Sequence, residues 1–115
     1  MEDTTLVENL KTELRRGTQI LAVLNQLKSE QYGYSLLQSL VDQGISIESG
    51  TLYPLLRRLE SQGLLNSNWD ISETRPRKYY TLSETGKAVY KQLKKEWKII
   101  VREISSLLEG ENNDE

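Results

Sequence analysis

Leucines recur along this chain at helical spacing, and each cluster reads as the apolar face of one helix. Leu6, Leu10 and Leu14 stand four apart between about Thr4 and Arg16, which predicts a helix whose stripe is too narrow to hold a core of its own. From Thr18 the run TQILAVLNQLKSE sets Ile20, Leu21, Leu24 and Leu27 on one side and predicts a second helix, ending near a turn at Gln31 to Gly33. YSLLQSLVDQG brings Leu36, Leu37, Leu40 and Val41 together in a third, and Gly44 supplies the left-handed stop that helix C-termini favour.

The next stretch, GTLYPLLRRLESQGLLNSNW, is the most informative in the chain. At 100° per residue Leu52, Leu55, Leu56 and Leu59 fall on one side of a helix, and Gly50, Pro54, Arg57, Arg58 and Ser61 on the other. Ser49 is the expected N-cap, and Pro54 predicts an irregular first turn because an interior proline loses a backbone bond. Gly63 stops this helix. LLNSNW then reads as a strand, DISETRP as a polar loop, and RKYYTL as a returning strand in which Tyr79 and Tyr80 must face opposite ways, one of them toward the core. Trp69, at the first strand's end, is expected in the core or packed against the hairpin.

Ser83 offers a new N-cap, with Glu84 in the first turn. From there to Leu108 the pattern is helical, with Val89, Leu93, Trp97, Ile100, Ile104 and Leu107 spaced 4, 4, 3, 4 and 3. Such a helix is roughly 37 Å long, more than the small core beneath it needs. Both end seams, Leu6, Leu10 and Leu14 in one and Val89 to Leu107 in the other, therefore point to a single dimer interface. The element order predicts a mainly α fold with a small β-hairpin: a winged helix-turn-helix with N- and C-terminal dimerisation helices. Residues 1–82 form the first helix and DNA-binding domain, 83–108 the dimerisation helix, and 109–115 an acidic tail expected to be disordered.

Composition narrows the chemistry. The 115 residues include no cysteine and no histidine, which removes thiol nucleophiles, disulfides, thiolate zinc sites and imidazole bases. No metal or cofactor is expected, and no nucleophile-base pair, phosphate loop or metal spacing favours an enzyme. The acidic start and the lack of a long apolar run lead to a cytoplasmic expectation. The net charge of -2 conceals an asymmetry: EGENNDE at the end holds four acids, and without it 15 basic residues stand against 13 acidic. Arg57, Arg58, Arg75, Arg77 and Lys78 meanwhile fall within 22 residues of one another.

GTLYPLLRRLESQGLLNSNW followed by RPRKYYTLSETGK resembles the signature of the PadR family of bacterial transcriptional regulators. LKTELRRGTQILAVLNQL and YGYSLLQSL resemble that family's opening helices, and the single C-terminal helix is similar to its short subfamily. The resemblance implies a homodimer that binds palindromic double-stranded operator DNA, represses transcription, and is released by a small aromatic or drug-like effector. It also implies that an aromatic placed like Trp97 lines a pore between subunits and stacks on flat effectors. A place in the seam is the alternative for Trp97, and one residue can serve both.

On this footing Arg57 and Arg58, opposite the leucines of the recognition helix, are candidate DNA contacts, by guanine or by phosphate. Thr51 and Tyr53 in its first turn, Tyr34 at the start of the preceding helix, and Arg75, Arg77 and Lys78 around the wing complete the set. Each has a bland alternative, in capping, core-edge packing or a solvated charged surface. A winged-helix interaction or small-molecule-binding module without specific DNA binding is the competing function.

Overall fold

The computed structural model describes residues 3–72 and 74–111. Helix α1 (Thr4–Gln26) is followed by β1 (Gln31–Tyr32), α2 (Gly33–Asp42), α3 (Ser49–Ser61), β2 (Leu65–Asp70), β3 (Arg77–Leu82) and α4 (Glu84–Glu109). The three strands form one antiparallel sheet in the order β1-β3-β2.

The leucine faces meet in one core. Val23, Leu24 and Leu27 come from the α1 end, Leu36 and Leu40 from α2, and Leu52, Leu55, Leu56 and Leu59 from α3. Leu65, Leu82 and Tyr80 close it from the sheet, and Tyr90 from α4. Tyr80 is thus the inward tyrosine of its pair.

The stops are built as expected. Gly44 and Gly63 have φ of 83° and 81°, the left-handed region where a side chain would be strained. Behind each, two backbone bonds satisfy the helix's last carbonyls: Gly44 N–H to Val41 and Ile45 N–H to Leu40, then Gly63 N–H to Glu60 and Leu64 N–H to Leu59. Ser83 caps α4 by accepting from the Gly86 N–H at 2.9 Å, while its hydroxyl donates to the Gly63 carbonyl at 2.7 Å.

Several local expectations are corrected. The first two predicted helices are one: α1 runs unbroken through Gly17, so two helices, not three, precede α3. Glycine costs a helix interior only about 1 kcal/mol relative to alanine, too little to break a helix held by packing at its far end. Gln31–Tyr32, read as part of a turn, is a short edge strand whose residues oppose Tyr80 and Tyr79. Glu48, rather than Ser49, is the N-cap of α3, and its carbonyl accepts from both Thr51 and Leu52 at 2.9 Å. The chain stays α-helical from Ser49 to Ser61 with Pro54 inside and exposed. Val41, grouped with the α2 apolar face, is half exposed at 50%.

Both long helices outrun the core. Every described residue of α1 up to Gly17, and every one from Lys91 to Glu111, is exposed. The molecule accordingly extends over 60 × 34 × 23 Å. The acidic tail expected at 109–115 falls on residues 112–115 outside the described residues; Glu109 ends α4.

Candidate nucleic-acid interface

The hairpin's alternation explains what each of its residues does. One face carries Leu65, Ser67 and Trp69 on β2 opposite Leu82, Tyr80 and Lys78 on β3. Exposure rises along it, from Leu65 at 4% to Trp69 at 63%, because the strands continue past the end of the core. Trp69 is therefore neither core nor covered by the wing, contrary to expectation. Alternation chose its side correctly, but the layer beneath it has ended.

Trp69 instead lines a cleft of about 460 Å³ between helix and wing. Tyr32, Gly33 and Tyr34 at the α2 start, Tyr53 on α3, and Arg75, Pro76, Arg77, Lys78 and Tyr80 make up the rest of its wall. The Tyr53 ring lies across Gly33 so closely that a Cβ there would sit 2.4 Å from it. This contact holds the start of α2 against α3 and fixes where Tyr53 and the exposed Tyr34 stand.

The basic residues divide into two kinds. Arg57, Arg58 and Arg75 are exposed, and among the described residues they enter no ion pair. Arg58 and Thr51 line a second cleft, with Arg16 of α1, on the other flank of α3. Arg77 and Lys78 are engaged within the domain. The Arg77 guanidinium stacks 4.6 Å from the Tyr32 ring centroid, and Tyr32 meets Tyr79 edge-on at 5.5 Å. Lys78 Nζ donates to Glu60 Oε1 at 3.0 Å, and the Ser67 hydroxyl donates to the other carboxylate oxygen.

That network sets the titration of its members. The Ser67 hydroxyl and then the Lys78 ammonium hold the Glu60 carboxyl below its usual pKa. Glu60 in turn holds the Lys78 ammonium above its own usual value. At the wing tip, Ser72 donates from hydroxyl and backbone N–H to Asp70, lowering that carboxyl's pKa and folding the start of the loop. Among the described residues no cluster could hold a metal ion, and no helix is long and apolar enough to cross a membrane.

Far from the wing, Leu14 of α1 and Leu93, Trp97 and Ile100 of α4 border one apolar groove of about 400 Å³. Trp97, 40% exposed, also walls a neighbouring cavity of about 350 Å³ with Leu21, Asn25, Gln43, Tyr90 and Lys94. The two end seams are thus joined in space, through α1 packing on α4.

A helix pair presenting an arginine-faced third helix beside a three-stranded wing defines a winged helix-turn-helix of the DNA-binding class. The family model described as Transcriptional regulator PadR-like family matches residues 20–92, and the chain belongs to that family. It is similar to the crystal structure of a PadR family transcriptional regulator from Eggerthella lenta, at 47% identity and a TM-score of 0.86, covering 93% of this chain and 96% of that one. A PadR-like transcription factor from Bacteroides fragilis is similar at 31% identity and a TM-score of 0.72, over 86% and 98% of the chains. A transcriptional regulator of Mycobacterium tuberculosis is 32% identical over 93 residues, 80% of this chain and 87% of that protein.

Proposed function

We propose that this transcriptional regulator works as a homodimeric repressor that grips palindromic operator DNA with α3 and the wing of each protomer. The carrying observation is that Arg57 and Arg58 on α3 and Arg75 on the wing are exposed, with Arg75 lining the cleft walled by Tyr34, Tyr53 and Trp69 and Arg58 lining the cleft on the other flank of α3. Arginines in that setting neutralise phosphate or grip guanine, while Thr51, Tyr34 and Tyr53 supply hydroxyls at the entry of α3. Arg77, held over Tyr32 and opposite Asp70, presents the tip end of the wing strands to the same DNA. Trp69 joins the contact set as a flat apolar surface beside the sugar-phosphate backbone. Lys78, its ammonium met by Glu60, stands apart from these contacts.

The dimer forms through Leu6, Leu10 and Leu14 of α1 together with Val89, Leu93, Trp97, Ile100, Ile104 and Leu107 of α4. All of these except the half-buried Val89 are exposed on one protomer, which supports that reading, since soluble proteins rarely leave so long an apolar seam uncovered. A small aromatic effector binds against Trp97 and shifts the dimer away from the operator-competent spacing, which requires unequal affinity for the two states. The regulator has no catalytic role in this scheme and acts in the cytoplasm, where its operator lies.

Selection of duplexes from a randomised library tests the proposal. Enrichment of an inverted repeat with half-sites about one helical turn apart is expected. Recovery of no common sequence would favour an interaction module instead.

A further inference from the structure

We propose that Glu60 is the positioning residue of the DNA surface, a carboxylate on α3 that brackets both wing strands and sets the wing's distance from the recognition helix. The inference rests on α3 and the wing together being that surface. Glu60 is one residue from the end of α3, where the arginine face also ends. Its two oxygens are divided between the strands: Oε2 accepts from the Ser67 hydroxyl of β2 and Oε1 from Lys78 Nζ of β3, at 3.0 Å. Both charged side chains are about 30% exposed, at 29% for Lys78 and 32% for Glu60, so solvent screens the pair only in part.

The place of this bracket along the hairpin gives it leverage. Below it Leu65 and Leu82 are held by the core; the exposed Trp69 stands level with Lys78, and the exposed tip lies beyond. The wing's other ties, Asn68 to Glu30 at 3.3 Å and Arg77 over Tyr32, run to the opposite, β1 side. Lys78 is also turned toward the Tyr80 ring, 5.3 Å from its centroid, and so faces inward. Its charge therefore serves the wing's posture, and its loss acts on DNA through Trp69 and Arg75.

Two measurements on the full chain test this separately from DNA binding as such. In the free protein, ¹⁵N relaxation of E60A and of the milder S67A and K78Q is expected to lower order parameters at residues 66–80, from about 0.85 toward 0.6, with 50–59 unchanged. A wing as rigid as in the wild type in all three overturns the proposal. The second measurement is anisotropy of a labelled duplex from upstream of the chain's own gene, over a salt series. E60A and K78Q should each weaken binding by roughly fivefold, and the charge swap E60K/K78E should restore it to within about threefold. The slope of log affinity against log salt should match the wild type. A slope shallower by about 0.9 in K78Q alone would make Lys78 a phosphate contact and overturn the bracket. If the wild type itself ignores the duplex, the DNA reading fails there, and the relaxation result alone decides the bracket.

Discussion

Arg57 and Arg58 differ from the wing's Arg77 and Lys78 in what they are attached to. The first two have nothing within the described domain to hold; the other pair are spent on Tyr32 and Glu60. Alanine at Arg57 should therefore cost about 1–3 kcal/mol at a specific site and leave the fold intact, which anisotropy and thermal melting would check together. Trp69→Ala should behave alike. Being largely exposed, it should change stability by about 0.5 kcal/mol or less while weakening duplex binding. A large loss of stability would return Trp69 to the packing role. The Glu60 pair carries a pH signature. Its carboxyl titrates below the ordinary value, so its stabilisation is full above about pH 4.3 and is lost as pH falls through the depressed pKa. The lysine, raised in the folded state, contributes below about pH 10.4 and loses its contribution as pH climbs through the raised value. Urea unfolding should show E60A destabilised more at pH 7 than at pH 3. What the sequence could supply at this scale was identity and side of an element. Partners were out of its reach, because Glu60 meets Lys78, 18 positions further on, only once two strands are folded back.

At the level of elements the apolar spacing was a good guide wherever the period was long. α3, α4 and both hairpin strands emerged where read, α3 with its leucine face in the core, and Gly44 and Gly63 with the stops. Two failures have physical causes. The first helix was ended near Arg16 and the next begun at Thr18 because local spacing knows nothing of the packing that carries α1 on through Gly17. β1 is only two residues long, and it is made by the edge of β3 and the Tyr32–Tyr79 contact rather than by any alternation of its own. Glycine substitutions separate these causes. A Cβ on Gly86 would lie 2.0 Å from the carbonyl oxygen of Leu64, just before β2. The clash, worth about 1–3 kcal/mol, outweighs the helix preference of roughly 1 kcal/mol for alanine, so Gly86→Ala should melt earlier. Gly17→Ala meets nothing within 4 Å and should melt later. Equal shifts in both would mean that the close approach at Gly86 is relieved without cost.

For the molecule as a whole, the unusual feature is how much helix stands off the core. The described N-terminal part of α1 and α4 from Lys91 on are exposed throughout within one protomer, and the groove between them is apolar. The proposed dimer covers that surface with a second copy of the chain. Trp97→Ala combined with Ile104→Asp should then sediment as a monomer, and a dimer of unchanged affinity would remove the seam from the interface. The sequence made the overhang visible, since a helix of 26 residues is longer than so small a core can cover. It could not say that the α1 and α4 seams border the same groove. The net charge was the least informative number at this scale, because acids gathered near one end mask a basic face that is assembled only by folding.

The central claim is that α3 and the wing exist to meet duplex DNA. Fluorescence anisotropy with a labelled duplex from upstream of the protein's own gene, against a scrambled duplex of equal length and at two salt concentrations, tests it most directly. Tighter binding to the upstream duplex, falling steeply as salt rises, is the predicted result. Weak and equal binding to both duplexes, insensitive to salt, would contradict it.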